Sequence, residues 1–171
     1  MSKETFLILS VIFVIALVVA GIAGWRTRRR RQSSIPAPQS PPASFVPTAV
    51  AEGLYAATTQ AADEYDRIVV HGLGLRSRAR LLVGDAGIIL ELPERSFFTP
   101  TADITLVQRA TWTIDRVVEP GGLMRYQWRL GESELATNFR VVGDDRDIFD
   151  AMLRLQRGEG TAGAAPAGRQ S

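Results

Sequence analysis

From Thr5 to Trp25 the chain runs 21 residues without a charged side chain, and no other feature limits its possible folds as strongly. As a helix the run is about 31 Å long at about 1.5 Å per residue, which matches the hydrocarbon thickness of a bilayer. Directly after it stands Trp25-Arg26-Thr27-Arg28-Arg29-Arg30-Arg31, an interfacial aromatic with five cations, whereas the N-terminal side offers only Lys3, Glu4 and the amino terminus. This bias predicts a single-pass plasma-membrane protein: residues 1–4 outside, a transmembrane helix over 5–25, and the C-terminal bulk in the cytoplasm. The competing reading is a cleaved secretory signal ending at Gly21-Ile22-Ala23. Such a signal places its positive charge before the apolar run and has an apolar stretch of about 7 to 15 residues, so order and length both disagree.

Two features of this segment carry possible contacts. Arg26, Arg28, Arg29, Arg30 and Arg31 act as a topological stop, and near an anionic surface each adds on the order of 1 kcal/mol of lipid attraction. Ala16, Ala20 and Gly24 recur every fourth residue, a small-xxx-small spacing that marks a candidate helix-packing seam and a route to self-association.

Charge divides the chain. Of 20 basic residues, one Lys and five Arg precede residue 32 and Arg169 lies in the tail, leaving 13 for residues 48–157 against 16 acids, a balance of −3. The basic surplus therefore belongs to the membrane-flanking segment, and a nucleic-acid partner, which needs it on the folded unit, is not expected. The absence of Cys excludes disulfides, thiolate metal sites, thiol nucleophiles and lipidated cysteines.

Residues 26–47 combine the Arg-rich segment with a stretch, 32–47, that contains five prolines. The composition predicts an extended, unpacked spacer of up to roughly 50 Å at about 3.1 Å per residue. Residues 158–171 are Gly, Ala, Pro and polar residues and are expected to be a disordered tail.

Between these lies a domain, 48–157, that reads as strands. Leu75 to Val83 alternates, with Arg76, Arg78 and Arg80 on the polar face, and Gly84-Asp85-Ala86-Gly87 turns it into Ile88-Ile89-Leu90-Glu91-Leu92. A second hairpin runs from Leu123–Leu130, with Met124, Tyr126, Trp128 and Leu130 on its apolar face, through Gly131-Glu132-Ser133 into Leu135–Val142. Weaker strand candidates are Ala49–Thr58, Ile68–Val70, Ile104–Arg109 and Trp112–Val118. The end is helical: Asp144 can cap, Asp145 and Asp147 suit a helix start, Arg154 and Arg157 suit its end, and Gly158 follows. Ile148, Phe149, Met152, Leu153 and Leu155 supply its apolar stripe. The fold class is therefore mainly β, an open barrel of about seven antiparallel strands closed by a C-terminal amphipathic helix.

Gly53-Leu54-Tyr55, the run from Asp66 through His71-Gly72-Leu73-Gly74 to Ala79, Trp128-Arg129-Leu130-Gly131, and Asn138-Phe139-Arg140 carry a family resemblance. Over residues 53–157 plus the anchor, the chain resembles actinobacterial single-span proteins with a bacterial pleckstrin-homology-like domain, encoded among pyrimidine-biosynthesis genes and labelled transporters or export proteins. Where Asn138 stands the family usually has Gly, and Asn tolerates left-handed backbone. The resemblance implies two roughly orthogonal sheets with a C-terminal helix, and no catalytic motif. One span without an intramembrane charge offers no transport path.

The remaining candidates are read as structural. His71 is the only His, so zinc sites and Ser or Cys triads cannot be assembled within one chain. Gly72-Leu73-Gly74 lacks the third glycine and the following helix of a dinucleotide fingerprint and reads as a turn. Asp144, Asp145, Asp147 and Asp150 suit a helix start better than a cation site, and Trp112, Tyr126 and Trp128 suit a core. The Arg76, Arg78, Arg80 stripe is the sharpest binding candidate, for a phosphate or a partner's carboxylates; its alternative is a solvated face pairing with acids. The sequence thus predicts a non-catalytic, cofactor-free and metal-free module docking a protein partner or an anionic headgroup at the inner membrane face. Alternatives are an accessory subunit of a transport or export complex and a small hydrolase.

Overall fold

The computed structural model describes residues 3–109 and 123–158. The chain divides into two compact units, residues 1–34 and 35–171. The candidate strand Trp112–Val118 and residues 159–171 of the expected tail lie outside the described residues.

The first unit is one helix, α1 (Lys3–Arg31), with no buried residue. Among the described residues it alone is long and apolar enough to cross a membrane, with a mean hydropathy of 3.1 in its most apolar window. Its side-chain hydroxyls are satisfied along the helix: Ser10 donates to the Phe6 carbonyl and Thr27 to the Ala23 carbonyl, each at 2.9 Å. The arginine cluster, expected as a separate juxtamembrane segment, continues the helix to Arg31. Arg28, Arg29, Arg30 and Arg31 sit in the last turn, where they complement the carbonyl end of the helix dipole, and Arg29 lies 5.4 Å above the Trp25 ring.

Among the described residues the second unit is an antiparallel sheet of eight strands with one α-helix. The strands are β1 (Ala49–Gln60), β2 (Asp63–Arg67), β3 (Ser77–Gly84), β4 (Gly87–Leu92), β5 (Arg95–Pro100), β6 (Ile104–Arg109), β7 (Leu123–Leu130) and β8 (Ser133–Val141), followed by α2 (Arg146–Arg157). Their order is β5-β4-β3-β1-β8-β7-β6, with β2 added on β1. Strand β1 is the hinge of this arrangement. It pairs with β3 over Ala49–Tyr55 and with β8 over Gly53–Gln60, and a bulge at Ala56 bends it between the two halves.

Alternation along the strands decides what is inside. Tyr55, Leu81, Val83, Ile88, Leu90, Met124, Tyr126, Trp128, Leu135 and Phe139 face one another in a single core. Helix α2 packs on β6, β1 and β3 and adds Ile148, Ala151, Met152 and Leu155. It ends at Gly158 in the left-handed conformation that a helix C-cap requires (φ 71°). The cap at its start differs in detail from expectation: the N-cap residue is Asp145, and Asp144 accepts from the Arg146 amide at 3.0 Å.

A chain of polar side chains threads the core. Trp128 Nε1 donates to Thr137 Oγ1 (3.0 Å), Thr137 and Thr58 hydroxyls pair at 2.8 Å, Thr58 and Tyr55 pair at 2.8 Å, and the Tyr55 hydroxyl donates to the Leu73 carbonyl. The indole can only donate and the carbonyl can only accept, so one direction of donation satisfies every member. Burial raises both tyrosine hydroxyls, that of Tyr126 to about 12.

Several sequence expectations change. Ile68–Val70 is not a strand; Ile68 is a buried anchor whose amide donates to Thr58 at 2.9 Å, and the paired residues are Asp63–Arg67 just before it. Strand β5 was not anticipated because Phe97 and Phe98 are both buried, one in the main core and one on the opposite face, which erases alternation. Asn138 lies in regular β8 pairing; among the described non-glycine residues only His71 has positive φ, at 57°.

The largest correction concerns the proline-rich stretch. It is not an unpacked spacer from Ile35 onward. Ile35 is 5% exposed within the main core, and its carbonyl is 2.8 Å from His71 Nε2, which donates. Gln39 pairs with Phe98 on β5, Phe45 packs edge-to-face on Phe98 at 6.0 Å, and Thr48 donates to Val83 at 2.7 Å. Proline cannot donate to a ladder, so this strap uses side-chain anchors and isolated backbone bonds. Residues 32–34 lie between α1 and the strap along the chain, and they are not free: Gln32 is buried, with its amide donating to the Arg28 carbonyl at 3.0 Å, and the Ser33 amide donates to the Arg30 carbonyl at 3.2 Å.

Candidate functional site

Antiparallel register sorts the outer face of the sheet into three rows, because directly paired residues share a face. The first is Val50, Leu82, Ile89 and Phe98, across β1, β3, β4 and β5. Phe45 of the strap covers its Leu82, Ile89 and Phe98. The second is Glu52, Arg80, Glu91 and Ser96. Here Arg80 donates to Glu91 at 3.0 Å, so the row largely neutralises itself.

The third row is Leu123, Arg140, Leu54 and Arg78, across β7, β8, β1 and β3. Leu54 is half-buried and both arginines are exposed. They stand on either side of it, two strand spacings or about 10 Å apart at the Cα atoms, and neither has an acidic partner among the described residues. Guanidinium side chains reach far enough for both to converge on one anionic surface. Glu52, two residues before Leu54 on β1, is the nearest carboxylate in register.

Of the predicted Arg76, Arg78, Arg80 stripe, Arg78 and Arg80 are exposed on one face of β3 and Arg76 is exposed just before the strand, but their surroundings differ. Arg76 precedes β3 and already has an interaction of its own, Arg80 is in its ion pair, and Arg78 joins Arg140 from a different strand. The sequence reading missed Arg140 as a site residue because the partnership depends on β1 lying between β3 and β8. The outward alternation of Asn138, Arg140 and Val142 was its only local signal.

Other candidates resolve into structure. Tyr126 and Trp128 are core residues at 2% exposure each, while Trp112 lies outside the described residues. His71 supports the strap, and its carbonyl accepts from Arg95 at 3.1 Å. His71-Gly72-Leu73-Gly74 is a turn leading to β3, not to a helix, with Leu73 buried. Hydrogen bonds from the Arg146 side chain hold the Asp144 carboxyl at about 2, and Asp145 pairs with Arg109, which also stacks 4.3 Å from the Phe149 ring. Among the described residues no cluster of three or more His, Asp or Glu could hold a metal. A shallow groove of about 530 Å³ lies where Pro36 and Gln39 pass Asp103, Arg129 and Gly131, with one acid and one cation in balance. Ala16, Ala20 and Gly24 are exposed on one side of α1.

An antiparallel sheet curved about a core and closed by a C-terminal helix is the architecture of a PH-like domain. The chain matches the family described as bacterial PH domain-like over residues 33–157, well over half its length, and belongs to that family. The matched region takes in the strap, in agreement with its packing. The chain is also similar to two shikimate dehydrogenases (NADP(+)) of Stenotrophomonas maltophilia, at 34% identity for strain K279a and 33% for strain R551-3. Each match covers 54% of this chain and 36% of the relative. The chain thus spans about a third of the length of these curated relatives.

Proposed function

We propose that the protein is a single-pass membrane protein whose PH-like domain, on the cytoplasmic side, serves as a non-catalytic docking module for a protein partner or an anionic headgroup. The observation that carries this reading is the third row: two exposed arginines without acidic partners, held in fixed register on a rigid sheet, in a chain that also bears a helix apolar enough to anchor it. Anchoring raises the local concentration of whatever the domain binds. A catalytic reading has little to build on. The lone histidine is engaged with a backbone carbonyl, and the glycine pair that a nucleotide-dependent dehydrogenase would need before a helix precedes a strand.

An accessory role in a transport or export complex is the second reading, favoured by the exposed Ala16, Ala20, Gly24 side of α1, which would pack on another membrane helix. Proximity labelling from the C-terminus in living cells, combined with co-purification in mild detergent, separates the two. The docking reading expects neighbours captured by the domain and lost in Arg78→Gln/Arg140→Gln. Neighbours retained by that variant and lost in Gly24→Leu would replace it with the accessory reading.

A further inference from the structure

We infer that the domain pairs with a second copy of this chain through four outward side chains on two adjacent strands: Glu52 and Leu54 of β1, and Arg140 of β8 with Val142 just after it. The pairing needs neither a ligand nor a bilayer, so it stands apart from the reading above.

Leu54 lies opposite Arg140 in the β1–β8 register. The ladder continues one residue past β8, where the Val142 amide donates to the Glu52 carbonyl at 2.9 Å, so Val142 lies opposite Glu52. Glu52, Arg140 and Val142 are exposed, Val142 at 73%, and Leu54 is half-buried. The four Cα positions make a rectangle of about 4.8 Å across the strands by about 6.8 Å along them. Opposite charges occupy one diagonal and aliphatic groups the other. A two-fold axis laid in the plane of the face along the aliphatic diagonal sets Leu54 and Val142 each against its own counterpart, within about 1.5 Å of the axis, and sets Glu52 against Arg140 of the second copy. The strands of the two copies then cross at about 70°, toward the orthogonal class of sheet packing. Neither Glu52 nor Arg140 has an ion-pair partner of its own among the described residues. Around them Arg80 is paired with Glu91, and Leu82, Ile89 and Phe98 lie under Phe45. A purely acidic or purely basic partner would satisfy one charge of the rectangle and oppose the other, whereas a second copy satisfies both. The axis also passes near Arg78, opposite Leu54 on β3, and brings the two Arg78 side chains together at the rim. That like-charge contact makes the pairing a reversible one.

The chain contains no Cys, so a single introduced Cys reports one position. The full chain with Val142→Cys, in a large excess of mild detergent micelles, is treated with a short bismaleimide. This position beside the axis should give a crosslinked dimer, and Tyr65→Cys, on exposed β2, should not. In the Val142→Cys background, Glu52→Arg or Arg140→Glu alone should lower the yield about ten-fold, because each places two like-charge contacts in the interface. Mixing the two reversed chains should restore the yield as a mixed dimer: each reversed side chain meets the reversed one of the other chain, and the unreversed pair keeps its native signs. Arg78→Gln, which removes the repulsion at the rim, should raise the yield. All these positions are exposed, and unchanged far-UV circular dichroism shows that the variants fold. A reversal that unfolds the domain is replaced by Glu52→Gln or Arg140→Gln, each of which should lower the yield about three-fold. The inference is overturned if the mixture crosslinks no better than either reversed chain, or if neither neutral variant lowers the yield. It is also overturned if position 65 crosslinks as well as position 142, if Arg78→Gln lowers the yield, or if Gly24→Leu abolishes the parent dimer, which would assign the contact to α1.

Discussion

Replacing Ile35 by Ala asks whether the proline-rich stretch belongs to the domain. Ile35 is 5% exposed and packs in the main core, so the change deletes three buried carbons, about 2.4 kcal/mol at about 0.8 kcal/mol each. A residual cavity adds to this, for a total of about 2.5–4 kcal/mol. The assay is urea unfolding of the full chain in nanodiscs, followed by fluorescence of the buried Trp128. With an unchanged m-value the midpoint should fall by the total divided by m, about 1.3–4 M for an m near 1–2 kcal/mol/M. His71→Ala, which removes only the hydrogen bond to the Ile35 carbonyl, should cost about 1 kcal/mol. The two losses should couple, because both act on one anchor. An Ile35→Ala midpoint within error of the parent would refute the packed strap and restore a long, free spacer.

Three further outcomes follow from the core. Thr137→Val leaves Trp128 Nε1 without its acceptor and interrupts the chain to Leu73, and should cost about 1–3 kcal/mol by the same unfolding assay. Gly53→Ala places a methyl 2.1 Å from the Arg140 carbonyl oxygen and 2.8 Å from the Phe139 ring; it should destabilise by about 1–3 kcal/mol, with lost near-UV circular dichroism of the aromatic core as its signature. Tyr126 and Tyr55 have hydroxyls raised by burial, so the stability they carry is complete below pH 10 and falls as the pH rises through the folded-state values. For Tyr126, the difference between 10.0 and about 12 corresponds to about 2.7 kcal/mol. In a Tyr65→Phe background, which removes the exposed third tyrosine, tyrosinate absorbance against pH should therefore rise together with unfolding, and independent titration in a folded domain would contradict the burial.

What the sequence made legible were the features written in short-range periodicity. The uncharged run gave α1, the alternation of Met124, Tyr126, Trp128 and Leu130 gave β7, and the stripe from Ile148 to Leu155 with Gly158 gave α2. The missed elements share a cause. Phe97 and Phe98 are buried on opposite faces and so show no period, and Ile35 looks like an isolated apolar residue among prolines until the main core and His71 come to meet it. The site was half legible. Arg78 was read from its own strand, but its pairing with Arg140 arises from strand order, which joins residues 62 positions apart through Leu54. The residues behind the family resemblance are explained by folding: Tyr55, Leu73 and Trp128 belong to one hydrogen-bonded chain, and Gly53 permits the close approach of β8.

Sidedness is the claim on which the docking account depends. Cys substitutions at exposed Tyr65, in the domain, and at Ser2, before the apolar helix, can be probed with a membrane-impermeant maleimide in intact and permeabilised cells. Ser2→Cys should react in intact cells and Tyr65→Cys only after permeabilisation. Labelling of Tyr65→Cys in intact cells would put the domain outside and end the proposal of an inner-leaflet docking module.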